Sequence, residues 1–152
     1  MDYEPPNRLL ETPSWLMTQT AVVAARASRE VFDEMGAGRY HYAILCALDE
    51  YGPCSQADVG KHLHMDRKDV ANRIAELEQL GGAARNADPD DPRRNLVRIT
   101  AAGRQQMIEI HARLSIAQDE LLQDLTPGER KMFVHLLQVV LGRRSGPADT
   151  KI

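Results

Sequence analysis

Residues Ser55–Gly103, SQADVGKHLHMDRKDVANRIAELEQLGGAARNADPDDPRRNLVRITAAG, decide how this chain folds. Ser55-Gln56-Ala57-Asp58 is a capping-box pattern, a serine followed three residues later by a carboxylate, each able to satisfy an orphan backbone N–H. Val59 and Leu63 then give the four-residue apolar spacing of a short helix. Asp66-Arg67-Lys68-Asp69 repeats the cap and opens a longer one. On it Val70, Ile74 and Leu77 share a face, with Leu80 at the margin, and this face belongs on a core. Gly81-Gly82 stops the helix. Arg85 precedes Asn86-Ala87-Asp88-Pro89-Asp90-Asp91-Pro92, a turn-rich tip that cannot be helical, and Leu96-Val97-Arg98-Ile99 returns as a short strand. Thr100-Ala101-Ala102-Gly103 caps the next helix. The order is helix, turn, helix, then a two-stranded wing.

That order suits contact with DNA at two places: a helix in the major groove and a wing tip in the flanking minor groove. Lys68, Asn72 and Gln79 fall opposite the apolar face of the second helix, flanked by Arg67 and Arg73. Lys and Asn can donate to base edges, and Arg can do so bidentately. A solvated surface would explain the same residues, but their place in this motif favours DNA contacts at Arg67, Lys68, Asn72 and Arg73. Asp69 joins them, although capping alone would explain it. Ser55 and Gln56, at the start of the supporting helix, are expected phosphate contacts through side chain and backbone N–H.

The wing resembles the signature of the MarR family of transcription regulators. The resemblance rests on Gln79-Leu80-Gly81, Arg85, Asp88-Pro89-Asp90-Asp91, Arg93, Val97, Ile99-Thr100 and Gly103. Asp91-Pro92-Arg93 occupies its Asp-x-Arg core. Pro92 stands where the family usually carries arginine, and Gly82-Ala83-Ala84 replaces the usual Leu-Val start of the first strand, which is therefore expected to be short or weakly formed. The resemblance implies that Arg93 enters the minor groove while Asp91 braces the loop, with Arg94 on a phosphate. It also implies a homodimer on a palindromic double-stranded operator, and a small aromatic or anionic effector between the dimer helices and the reading head. Trp15, Arg39, Tyr40 and His41 have suitable chemistry for that pocket.

The expected fold is mainly α with a minor β part: a winged helix-turn-helix over 39–100. Helices in 14–38 and 101–142 form a dimerisation region. Residues 1–13, with Pro5, Pro6 and Pro13, read as an extended segment, and 143–152 as a polar tail. Ser14 is placed to cap a long helix over about 15–35 that Gly36-Ala37-Gly38 breaks. A second helix runs from about 39 to 51 and ends at Gly52-Pro53. Met107, Ile110, Leu114, Ala117 and Leu121 stripe a helix over 101–124. Thr126-Pro127-Gly128-Glu129 is a capping box that starts a final helix to about Leu141. Its Met132, Phe133, Leu136, Leu137, Val140 and Leu141 exceed what a small winged core needs, which favours pairing of two subunits.

Composition sets bounds on function. Aromatic residues make up 5% of the chain, so its core must be built mainly from Leu, Val, Ile, Ala and Met. The net charge of −3 is unevenly spread. Residues 61–104 hold nine Lys/Arg against seven Asp/Glu, leaving the remainder acidic overall, as suits a bounded reading surface on an acidic body. No apolar run is long enough to span a bilayer and the start lacks a secretion signal, so a cytoplasmic protein without membrane contact is expected. Cys46 and Cys54 make no disulfide framework. Cys46 reads as core packing. Cys54 follows Pro53 at a helix boundary, where exposure and the next helix's N-terminus would favour a thiolate. His62-x-His64 lacks the convergent ligands of a zinc site, so no metal or other cofactor is expected. A redox- or metal-responsive regulator of the same fold, or a winged-helix protein-interaction module, are the alternatives. An enzyme is disfavoured, because no nucleophile elbow, phosphate-binding glycine loop or paired-carboxylate spacing is present.

Overall fold

The computed structural model describes residues 4–142. Its elements in order are α1 Asn7–Leu10, α2 Pro13–Glu34, α3 Arg39–Tyr51, α4 Gln56–Leu63, α5 Arg67–Gln79, β1 Ala83–Ala87, β2 Asn95–Ile99, α6 Ala101–Leu121 and α7 Pro127–Val140. The chain divides into two compact units, with the boundary between Ala117 and Gln118 inside α6. The expected polar tail at 143–152 lies outside the described residues.

The first unit is built around the helix-turn-helix. Ile44, Leu45 and Leu48 of α3, Val59 of α4, Val70, Ile74 and Leu77 of α5, and Ala83 and Val97 of the wing close into one core with Cys54. Burying apolar side chains from five elements together is what fixes α4 and α5 against α3. The turn between α4 and α5 passes through His64, the one non-glycine residue with positive φ (52°) among those described. Gly60 sits beneath it, where a β-carbon would crowd the Met65 carbonyl. A second cluster joins Val31, Phe32, Met35 and Ala37 to Tyr42 and to Ile110 and Leu114 of α6, and Arg113 pairs with Glu34 at 2.7 Å. The end of α2 and the first part of α6 are therefore packed together on α3 through Tyr42.

Three local expectations are corrected. Residues 1–13 are not extended throughout, because α1 forms a single turn closed by Leu9 and Leu10 N–H bonds to the Pro6 carbonyl at 2.8 and 3.3 Å. Proline costs nothing ahead of a helix, where no N–H is required. Ser14 does not cap α2, which starts one residue earlier with Pro13 at its first position. Thr12 stands at the N-cap, and its hydroxyl is turned back to the Arg8 carbonyl at 2.7 Å. The first wing strand is complete: Ala83 pairs with Ile99, Arg85 with Val97 and Ala87 with Asn95 in an antiparallel ladder. Cys54 adds a bridge to that ladder, exchanging N–H···O bonds with Val97 at 3.0 and 2.9 Å. The small Ala83 is buried against the core, so lack of bulk does not weaken the strand.

In the second unit α7 starts with the expected box: the Glu129 N–H donates to Thr126 Oγ1, and the Thr126 N–H to Glu129 Oε2 at 2.8 Å. Arg130 reaches back to Asp119 at 2.7 Å and to the Leu122 carbonyl at 3.0 Å. No residue of α7 is fully buried, and Met132, Leu136, Val140 and Leu141 are all exposed.

Candidate nucleic-acid interface

On α5 the apolar stripe is completely enclosed and the opposite face is open. Val70, Ile74 and Leu77 have no exposed surface, whereas Arg67, Lys68, Asp69 and Asn72 are all exposed and Arg73 is half-buried. Asp66 caps the helix, accepting from the Lys68 N–H at 2.7 Å. Asp69 plays no part in that bond, so the cap does not account for it.

The start of α4 differs from expectation in detail. Ser55 Oγ accepts the Asp58 N–H at 3.2 Å and donates its own proton to Asp58 Oδ2 at 2.6 Å. That donation holds the Asp58 carboxyl below its ordinary range, with Lys61 assisting. The serine hydroxyl is committed to a fixed anion and is a poor donor to a phosphate. Gln56 is free of that constraint. It lines a cleft of about 350 Å³ with Ser55, Ala57, Arg67, Arg85, Asn95 and Val97, where α4, α5 and the wing base meet. Arg85 is held there by Glu78 of α5 at 3.1 Å.

The wing tip is knit by its own aspartates. Asp88 Oδ1 accepts from the Asp90 N–H at 2.9 Å and Asp91 Oδ1 from the Arg93 N–H at 3.1 Å. Across the base, Asp88 N–H donates to the Arg94 carbonyl at 2.8 Å and Arg94 N–H to the Asp91 carbonyl at 2.9 Å. These are turns in which a short carboxylate replaces a backbone acceptor. Asp88 is thus drawn into the tip with 11% of its side chain exposed, whereas Asp91 stays partly open at 36% beside Arg93, whose side chain is 92% exposed.

The four residues expected to line an effector pocket do not come together. Trp15 lies near the start of α2, about 28 Å from its end at 1.5 Å per residue, whereas Arg39, Tyr40 and His41 follow that end. Arg39 folds over its neighbour, with its guanidinium 4.6 Å from the Tyr40 ring centre and a 2.6 Å bond to the phenol oxygen. His41 is buried and faces α5. Its Nδ1 accepts the Gly38 N–H at 2.9 Å, which leaves the ring proton on Nε2 for Glu76 Oε2 at 2.6 Å. The same Glu76 takes Arg73 Nη1 on both oxygens, at 3.2 and 2.9 Å. Arg73 and then His41 hold the Glu76 carboxyl below its usual range. Glu76 escaped the sequence reading; its three-residue spacing from Arg73 on one helix was the available signal.

Neither thiol has the character of a sensor. Cys54 is buried rather than exposed, and burial, then Asp58, raises its pKa. Burial also raises Cys46, while Tyr42 beside it is pushed up to about 12 by burial and by Cys46. His62 stacks on Tyr51 with ring centres 4.0 Å apart. Among the described residues no three His, Cys, Asp or Glu groups converge as metal ligands, and no helix is long and apolar enough to cross a membrane.

A recognition-type helix with an open polar face, a supporting helix and a braced wing define a winged helix-turn-helix DNA-binding protein. Residues 39–95 match the MarR family model. The chain is 26% identical over 125 residues to the HTH-type transcriptional regulator YwoH of Bacillus subtilis, covering 82% of this chain and 90% of YwoH. BpsR of Bordetella bronchiseptica, whose DNA binding is regulated by 6-hydroxynicotinic acid, is similar with a TM-score of 0.78 and 26% identity, over 91% of this chain and 96% of that one. A probable transcriptional regulator from Pseudomonas aeruginosa gives a TM-score of 0.74 and 28% identity, over 87% and 98%. Over residues 39–95 the chain is thus similar to the MarR family, and it is a DNA-binding transcription regulator.

Proposed function

We propose that this regulator binds a palindromic operator as a homodimer and represses transcription by occluding polymerase, in the cytoplasm where that DNA lies. An operator upstream of a promoter would permit activation instead. Each subunit lays α5 in a major groove, with Arg67, Lys68, Asn72 and Arg73 toward the bases and backbone. Gln56 approaches a phosphate from α4, and Arg93 and Arg94 carry the wing to the flanking minor groove. The observation that carries this reading is the convergence of α4, α5 and the wing base on one cleft lined by Gln56, Arg67, Arg85 and Asn95. The wing bracing supports it by engaging the Asp88 and Asp91 carboxylates in bonds within the tip. The exposed apolar residues of α7, Val140 at 63% among them, support a two-fold partner, because such a surface is unfavourable in water. Release by a small aromatic or anionic effector is inferred from likeness to BpsR.

A footprint on a fragment selected from random DNA tests the reading. Two half-sites with centres about 10 bp apart are expected. A single asymmetric half-site at saturation, or a monomer by sedimentation at micromolar concentration, would overturn the dimer. Equal affinity for selected and random DNA would overturn the operator.

A further inference from the structure

Between the break that ends α2 and the reading face of α5 runs an unbroken line of polar contacts. Gly38 N–H donates to His41 Nδ1 at 2.9 Å, His41 Nε2 meets Glu76 Oε2 at 2.6 Å, and Glu76 receives Arg73 Nη1 at 2.9 Å. One tautomer of His41 satisfies every step. The ring lies in a buried position on α3, so its two bonds cannot be exchanged for water at no cost. Glu76 and Arg73 are each about two-fifths exposed, at the rim of the same face as Asn72. A carboxylate at the edge of a DNA-reading helix repels phosphate. By charge alone Glu76 weakens binding, and its presence needs another explanation.

We propose that Glu76 is a positioning residue for Arg73: with His41 as its buttress it holds the guanidinium in one orientation for DNA, and so raises the preference for the operator over random sequence. The inference rests on the proposed role of Arg73 at the DNA. Only Nη1 of Arg73 is used in its bonds to Glu76, which leaves the rest of the fork to meet a base edge or phosphate. A long side chain fixed before docking loses less rotamer freedom on binding. Because Glu76 accepts from His41 as well as Arg73, it cannot follow the arginine elsewhere without leaving a buried ring nitrogen unpaired. The buttress is anchored in turn to the main chain at Gly38, two residues after Gly36, whose φ is 60°. The orientation of Arg73 is thereby tied to the geometry of the α2–α3 junction.

The test is a comparison of operator and random-duplex affinity at several salt concentrations for the full chain and its variants Glu76→Gln, Glu76→Ala, His41→Phe and Arg73→Ala. Loss of a negative charge predicts tighter binding to random DNA for both Glu76 variants. Positioning predicts that operator preference falls about tenfold in Glu76→Ala, the size of one lost base discrimination. Glu76→Gln, which keeps an acceptor of the same reach, should recover part of it. His41→Phe should lower preference in the same direction with Arg73 and Glu76 both intact. In the Glu76→Ala background, Arg73→Ala should cost little further preference, because the two act through one contact. Equal tightening on both DNAs in Glu76→Ala would overturn the positioning role and leave a bare like-charge effect. So would independent, additive losses from Arg73→Ala and Glu76→Ala. If Arg73→Ala alone changes neither affinity, the DNA role of Arg73 itself fails, an outcome distinct from the others. Thermal melts of each variant separate lost positioning from lost folding, since a misfolded protein loses affinity for both duplexes.

Discussion

Asp91 Oδ1 accepts two hydrogen bonds from Arg93, one from its main-chain N–H at 3.1 Å and one from its Nε at 3.3 Å. The ion pair is exposed and worth little by itself. The main-chain bond matters more, because with Pro92 fixing φ between the two residues it sets the direction in which Arg93 leaves the wing. Asp91→Ala should therefore weaken operator binding several-fold although it removes a negative charge. Tighter binding in a titration of this variant would show that the aspartate is only a repulsive group.

Arg93 itself should read groove shape. A narrow A·T-rich minor groove concentrates negative potential, and an inserted guanidinium gains most there. Arg93→Ala should lower affinity and flatten the preference for A·T pairs flanking each half-site. Arg93→Lys should restore part of the affinity, because an ammonium is more strongly hydrated. Equal losses on A·T-rich and G·C-rich flanks would make Arg93 a phosphate clamp.

The thiols should be inert. Both Cys46 and Cys54 are shifted away from the thiolate by burial, and the thiolate is the form that peroxide attacks. The double Ser variant should bind operator as the parent does, and mild peroxide should leave the parent bound. Peroxide-induced release that disappears in the variant would establish a thiol sensor.

The cap of α7 carries a pH dependence. Bonds from the Thr126 N–H and hydroxyl lower the Glu129 pKa below its ordinary 4.5. A depressed folded value means that the ionised carboxylate stabilises the fold above the ordinary value, and that this stabilisation is lost as pH falls through the folded one. Glu129→Gln should reduce melting temperature at pH 7 and narrow its gap to the parent below about pH 4, the glutamate range. A gap independent of pH would assign the effect to shape alone.

How far the sequence could be read depended on the range of each interaction. Helices with local signals were legible: α3 spans Arg39–Tyr51 as its flanking glycines imply, and Val70, Ile74 and Leu77 are enclosed as their spacing requires. So was the capping box at Thr126. Long-range pairings were not. The Cys54–Val97 bridge joins residues far apart in sequence, and nothing near Pro53 announces it. His41 looked like a pocket residue because an imidazole beside Arg39 and Tyr40 suits an aromatic acid. Its partner Glu76 is 35 residues away, and only the packing of α3 on α5 reveals it. The first wing strand looked weak because Gly82-Ala83-Ala84 replaces the Leu-Val start usual in the resembled family, but register with β2 and burial of Ala83 supply what bulk would have.

Gly103 should tolerate no side chain, although it lies inside a helix where alanine is normally preferred. Helix propensity favours Ala over Gly by about 1 kcal/mol, chiefly because alanine leaves the unfolded chain fewer conformations to lose. Against this, a β-carbon at Gly103 would run into the Gly82 carbonyl. That carbonyl cannot easily retreat. It accepts the Thr100 N–H at 3.1 Å, the Gly82 N–H is tied to the Leu77 carbonyl at 2.8 Å, and Thr100 Oγ1 bonds the Gly81 carbonyl at 2.6 Å. The clash is backbone against backbone, so no rotamer change relieves it. Overpacking of this kind costs about 1–3 kcal/mol or more, which exceeds the propensity gain when the clamp holds. Gly103→Ala should lower stability in urea unfolding and, by shifting the start of α6 against the end of α5, weaken operator binding. Gly128→Ala is the control: it has open space around its α-carbon in the first turn of α7 and should be neutral or slightly stabilising. If Gly103→Ala is as stable as Gly128→Ala, the approach of α6 to Gly82 is loose and the clamp imposes no constraint.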